Sequence, residues 1–226
     1  MGVLWRVWSN VFDRARWVRM VRVNADILMR SLLLEAIFVS FLFIGSSMGD
    51  ATLAANHVLM QFLFITAFGL DGFAFAVEAL VGKAMGAQQR QVLRRAAVLA
   101  SGWAVAVAGL LTLVFGLGGP LIIDLMAKAP DVQAQARVFL PYLVAVPLLS
   151  VAAFMFDGIF VGATRTRDMR DMMFVAFVVY VVCVLVLVPL IGNHGLWVSL
   201  LVSFVVRGLT LAWKYPALEA AADARS

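Results

Sequence analysis

Five charged residues, Glu35, Asp71, Glu78, Asp157 and Arg207, stand inside stretches that are otherwise almost wholly apolar, with His57 and Gln61 as neutral companions. A charge in a hydrocarbon layer costs several kcal/mol, so such residues face a cavity, a pathway or a partner. Carboxyls kept in a dry site take up protons, Na+ or organic cations, and an arginine at the same level pairs with one of them. Glu35 lies about five residues into its apolar stretch, and Glu78, Asp157 and Arg207 lie about four to six residues before the ends of theirs. At 1.5 Å per helical residue, all four fall within about 10 Å of one membrane boundary. Shared depth supports two readings: an ion- or proton-binding cluster with Arg207 competing for or partnering Asp157, or a structural salt-bridge network near the interface.

A second pattern involves aromatics. His57, Gln61, Phe64, Phe68, Asp71, Phe75, Glu78 and Gly82 recur at spacings of three and four, which puts them on one face of a helix. Phe rings bind flat apolar cations and carboxylates supply the countercharge, so this face suits the wall of an aqueous, aromatic-lined cavity. The alternative is a face packed on a neighbouring helix, its polar groups paired there. His57 alone fits a proton relay or a structural hydrogen bond.

These residues sit in a chain of 226 residues that is 64% hydrophobic and 14% charged, with mean hydropathy +0.98. Soluble domains average about 45–50% apolar and about 25% charged, so the composition is that of an integral membrane protein. Six stretches reach the roughly 20 apolar residues needed to cross a bilayer, at about 31–49, 53–82, 96–117, 139–162, 172–191 and 196–213. The second is long enough to be tilted or to begin as a re-entrant turn, and 120–126 prolongs the third as an interfacial extension. Pro141 and Pro147 predict a kink in the fourth. Asn193 and Gly195, in a short break before the last stretch, suit a tight turn with positive φ.

Apart from Lys128, Arg137 and Arg207, the 18 Lys and Arg fall on one side of these crossings, which places both termini in the cytoplasm of a multi-pass protein of the cell inner (plasma) membrane. The net charge of +5 is that asymmetry, so no nucleic-acid partner is expected. The first thirty residues carry no signal-peptide pattern. Residues 3–23 alternate Arg with Trp, Phe and Val, as a helix in the headgroup layer or as linker. The domain reading is 1–24 as a cytoplasmic or interfacial linker helix, 25–215 as a six-helix transmembrane lobe and 216–226 as a cytoplasmic tail.

Enzyme signatures are absent: there is no G-x-S-x-G, H-E-x-x-H, Walker or G-x-G-x-x-G motif. One cysteine, Cys183, excludes a disulfide framework and a Cys-based zinc site. No catalytic residue, metal or organic cofactor is expected.

Four segments carry a resemblance: LDGFAFAVEALVG at 70–82, DGIFVGATRTRDMR at 157–170, GNHGLW at 192–197 and RGLTL at 207–211. Together they resemble the multidrug and toxic compound extrusion (MATE) family, in its DinF-like branch, over about 23–216. The resemblance implies an all-α membrane protein, one six-transmembrane-helix lobe of a twelve-helix transporter with a cavity between its lobes. It implies drug efflux in exchange for H+ or Na+ as coupling ion, with lipophilic or cationic small molecules as substrates. This chain then corresponds to the C-terminal lobe, its partner being the N-terminal six-helix lobe or a second copy in a homodimer. Glu35 matches an acid used for cation binding in sodium-type relatives, whose second acid falls here near Thr164 or Arg165. Asp71, Glu78 and Asp157 belong to the DinF-like motifs. The substrate and ion candidates are therefore Glu35, Gln61, Phe64, Phe68, Asp71, Phe75, Glu78, Asp157 and Arg207. Two other readings are a lipid or polyprenyl-glycan flippase of the same superfamily, which needs more Arg and Lys in its cavity, and a non-transporting truncated half-gene product.

The basic asymmetry predicts that reporter fusions at Lys128 and Arg167 report opposite sides of the membrane. Reports from the same side would contradict the six-crossing topology.

Overall fold

Long apolar runs leave the backbone little choice but helix, because lipid offers no partner for an unpaired amide, and connections of three residues or a single glycine join them. The computed structural model describes residues 14–223; residues 1–13, the start of the expected 1–24 segment, and 224–226 lie outside the described residues. Six helices follow in order: α1 (Arg14–Ser46), α2 (Asp50–Gly86), α3 (Arg90–Met126), α4 (Pro130–Gly162), α5 (Thr166–Ile191) and α6 (Asn193–Ala220). There is no strand among the described residues, and all six helices are long and apolar enough to cross a membrane.

The helices extend beyond the apolar cores that define the crossings. α1 starts at Arg14 and runs unbroken through Arg30, α2 is one helix with no re-entrant start, and residues 120–126 complete α3. Both Pro141 and Pro147 lie inside α4, which continues through them. Positive φ before the last helix belongs to Gly192 (57°) and not to Asn193 or Gly195, which are the first residues of α6. Glycine bears that conformation without a Cβ penalty, which frees Asn193 to point inward.

α4 and α6 form the buried centre, while α1, α3 and α5 carry much of the exposed apolar surface, such as Phe43, Leu117 and Leu185. α4 packs on α2, α3 and α6; α1 lies mainly against α5. Small residues bring the backbones together. A Cβ on Gly158 would collide with the Ala74 carbonyl, one on Gly162 with the Glu78 carbonyl, and one on Gly195 with Leu187. The two glycines of α4, four residues apart, thus fix the register of α4 against the part of α2 that carries Asp71 and Glu78.

Polar groups pin each end of the bundle. At one end Asn56 and Asn193 exchange amide hydrogen bonds (2.8 and 3.0 Å), and Trp197 Nε1 donates to Asn56 Oδ1 at 3.0 Å. Trp197 also meets Phe41 edge-on, with centroids 4.9 Å apart. At the Arg-rich end Arg90 pairs with Glu219 (3.4 Å) and Asp223 (3.3 Å), Lys214 with Asp168 (3.9 Å), and Arg170 with buried Asp26 (2.6 Å).

Replacing Gly158 or Gly162 by Val should cost at least about 1–3 kcal/mol through overpacking against α2. Gly102→Ala, where nothing lies within 4 Å of the new Cβ, should be neutral or stabilising by up to about 1 kcal/mol. Denaturant titration in detergent micelles reads both; similar effects at the two kinds of site would refute the packing role.

Candidate functional site

Asp157 projects from α4 one residue before Gly158, at the level where α4 touches α2 most closely. Two guanidiniums reach it from different helices. Arg30 of α1 donates to Asp157 Oδ2, and Arg207 Nη2 of α6 lies 3.1 Å from the same oxygen. The expected Asp157–Arg207 pairing is present. The second partner, Arg30, stands just before the first apolar stretch, at 31–49. A lone Arg between Ile27-Leu28-Met29 and Leu32-Leu33-Leu34 was the available signal.

Arg207 is almost completely buried, with 2% of its surface exposed. Its guanidinium carbon lies 5.6 Å from the centroid of Phe154 and 5.8 Å from that of Phe204. The two rings stack with centroids 6.3 Å apart. Cation–π attraction is worth about 2 kcal/mol or more when the cation is stripped of water, so these rings hold the guanidinium in place of solvent. Met173 Sδ, at 4.0 Å from Nη1, closes a further side.

The cluster is not saturated. Asp157 Oδ1, Arg30 Nε, Arg207 Nε and Arg207 Nη2 lack a hydrogen-bond partner although buried; Nη2 is close enough for the ion pair but poorly aligned for a hydrogen bond.

A cavity of about 190 Å³ opens beside this cluster, lined by Arg30, Asp71, Phe75, Glu78, Phe154 and Asp157 among others. The structure therefore brings together Asp71, Glu78, Asp157, Phe75 and, through Asp157, Arg207. It does not bring in Glu35, which is exposed on α1 with no ionic partner among the described residues. Glu35 and Arg30 are five residues apart on α1, and a helical offset of 500° leaves the two side chains well separated around the axis.

The aromatic stripe of α2 stays uncovered. Phe68 and Phe75 are 75% and 67% exposed, Phe64 is 37% exposed, and His57 and Gln61 are exposed beside them. Phe64 touches Phe38 of α1 edge-on, with centroids 6.1 Å apart. The face is divided: Gln61, Phe68 and Phe75 are exposed, while Asp71 and Glu78 are half-buried and share the small cavity with Arg30 of α1 and Asp157 of α4, so both the cavity reading and the packed-face reading describe part of it. His57 is exposed, with no structural hydrogen bond of its own in the described lobe.

Beyond Arg30, sequence reasoning missed Asp26, buried and bonded to Arg170 and to Thr166 Oγ1 (3.3 Å). Among the described residues no group of three His, Cys, Asp or Glu is arranged to hold a metal ion.

Fold and site together define a six-helix membrane lobe with a charged cluster in its interior. The MatE family profile matches residues 27–190, and the chain belongs to that family. It is 41% identical over 202 residues to DNA damage-inducible protein F of Escherichia coli (strain K12), covering 88% of this chain and 43% of that protein. Its fold is that of the Vibrio cholerae MATE transporter VcmN in the bent form, with TM-score 0.83, 16% identity, and coverage of 96% of this chain and 50% of that one. It also matches an outward-facing multidrug resistance MATE family transporter of the MOP superfamily (TM-score 0.70, 16% identity, 87% and 44% covered). The chain spans half or less of the length of each of these relatives.

Asp157→Asn should destabilise the lobe by about 3–5 kcal/mol, because it strands two buried cations. Combining it with Arg207→Met should restore part of that loss, since one of the two stranded charges is then gone. Denaturant titration of the single and double variants checks this. Additive effects in the double variant would mean that the two side chains do not interact.

Proposed function

We propose that the chain is the C-terminal half of a secondary active multidrug efflux antiporter, which moves lipophilic or cationic compounds outward as H+ or Na+ moves inward. The observation that carries this reading is the uncovered face of α2, on which exposed Phe64, Phe68 and Phe75 alternate with Gln61, Asp71 and Glu78. Phenylalanine alone would suit lipid, but carboxyls on the same stripe would not. A water-filled cavity between two lobes suits both residue types at once. The partner is a six-helix lobe of the same family or, failing that, a second copy of this chain.

The charge balance supports ion coupling. Around the small cavity stand Arg30, Asp71, Glu78 and Asp157, with Arg207 paired to Asp157. Two guanidiniums against three carboxyls leave one formal negative charge when all are ionised, which one proton or one sodium ion neutralises. Asp157 is committed to its two arginines, so Asp71 and Glu78 are the carboxyls that take the ion. Cation substrate and coupling ion then compete for the same charge, which is the condition for exchange. The multidrug resistance named for one structural relative agrees with this reading, as does the Arg-rich end, which we take to face the cytoplasm.

The test is drug resistance in a sensitive strain expressing residues 1–226 alone or with a second six-helix lobe of the family. Resistance is expected only on co-expression, and Asp71→Asn or Glu78→Gln should return efflux to background while membrane abundance stays unchanged. Full efflux by both variants would exclude the proposed coupling site.

A further inference from the structure

Two openings follow one another along the seam between α1 and α5. The first, a cavity of about 1200 Å³, is lined by Arg14, Arg19 and Arg22 of α1, by Arg165 of the α4–α5 turn and by Arg167 in the first turn of α5. The second, of about 490 Å³, is bordered by Met29, Leu33 and Phe174, with Arg170 and Asp171 at its rim. Asp171 borders both, so a basic opening and an apolar one adjoin along the seam, with the Asp26–Arg170 ion pair between them.

Helix lengths place these openings relative to lipid. About 20 helical residues span the hydrocarbon layer. Counted from the far end of each helix, that length reaches from Ser46 back to about Ile27 on α1 and from Ile191 back to about Met172 on α5. The two helices thus agree on one boundary, and the Asp26–Arg170 ion pair (2.6 Å) sits on it. The arginine mouth lies at headgroup level, while Met29, Leu33 and Phe174 lie within the acyl layer.

The mouth keeps an excess of positive charge. Its acids are already engaged: Asp26 by Arg170, Asp168 by Arg165 (3.2 Å) and Lys214 (3.9 Å), and Asp171 by Arg170 (2.7 Å) and, more loosely, Arg167 (4.0 Å). Arg14, Arg19 and Arg22 pair with none of the described acids. Guanidiniums bind phosphate in bidentate fashion, and basic pockets between helices at the headgroup level select anionic lipid. A free anion would use the arginines but leave the adjoining apolar opening unexplained.

We infer that the α1–α5 seam is a binding site for an anionic phospholipid, its phosphate on the arginines of the mouth and an acyl chain along Met29, Leu33 and Phe174. Such a lipid would hold α1, whose contacts with the rest of the lobe are mostly with α5, at the end from which Arg30 reaches Asp157.

The test reconstitutes the full chain in phosphatidylcholine nanodiscs containing a minor fraction of phosphatidylglycerol, then counts retained lipid by native mass spectrometry after mild detergent release. Phosphatidylglycerol should be retained well above its share of the bilayer. The Arg19→Gln/Arg22→Gln/Arg167→Gln variant should lose retention by roughly fivefold per arginine, whereas Arg95→Gln, exposed at the same end but outside both openings, should not. Arg167→Gln alone changes a side chain that is 82% exposed, so its expected roughly fivefold loss cannot come from unfolding. Inorganic phosphate and glycerophosphoglycerol, which lack acyl chains, should fail to displace the lipid. Equal retention of both lipids, full retention by the triple variant, or displacement by either soluble anion would overturn the inference.

Discussion

Three helices meet on one carboxylate. Asp157 of α4 receives Arg30 from α1 and Arg207 from α6 on the same oxygen, and Arg207 is almost completely buried there. Removing either kind of partner leaves a buried charge alone, which is far costlier than the pair itself is favourable. The pairing therefore constrains geometry more than it adds stability. It permits only one rotation of α4, and the glycines at 158 and 162 then seat that helix directly on the Ala74 and Glu78 backbone. The position of Asp71 and Glu78 beside the cluster follows from this register.

The register also decides what α2 shows to the outside. One side of it is buried against α4 and α3, through Leu59, Leu63, Leu70 and Val77. The opposite side carries the Phe and carboxyl stripe, its rings exposed and its carboxyls half-buried beside Arg30 and Asp157. A helix with two working faces is expected in a protein built from paired bundles, where the cavity lies between bundles and not within one. The half-length match to relatives of the family fits that arrangement.

Much of this was legible in the sequence. Hydrophobic length alone located six helices, because lipid imposes one length on every crossing. The α2 stripe was legible because helical period projects spacings of three and four onto one face, and the Asp157–Arg207 pair because both sit at the same distance from a helix end. Arg30 and Asp26 were not, since hydropathy marks where an apolar run begins but not where the helix begins. α1 carries its helical geometry upstream to Arg14, so two charges that precede the first apolar stretch are helical and engaged. Glu35 shared the depth of the cluster but not its azimuth, and azimuth between helices depends on packing that no single helix encodes. The Asn56–Asn193–Trp197 network was hidden for the same reason: its members lie 137 and 141 positions from Asn56 in sequence.

The central claim is that the uncovered face of α2 meets water in a cavity and not lipid. Single cysteines introduced in a Cys183→Ser background by Phe68→Cys and Phe75→Cys, with Leu117→Cys on the outer face of α3 as reference, can be reacted with a membrane-impermeant thiol reagent in the two-lobe assembly. Rapid labelling at both α2 positions, slowed by a cationic substrate, with no labelling at position 117, is the predicted result. Labelling at 68 and 75 as slow as at 117 would place this face in lipid and contradict the account.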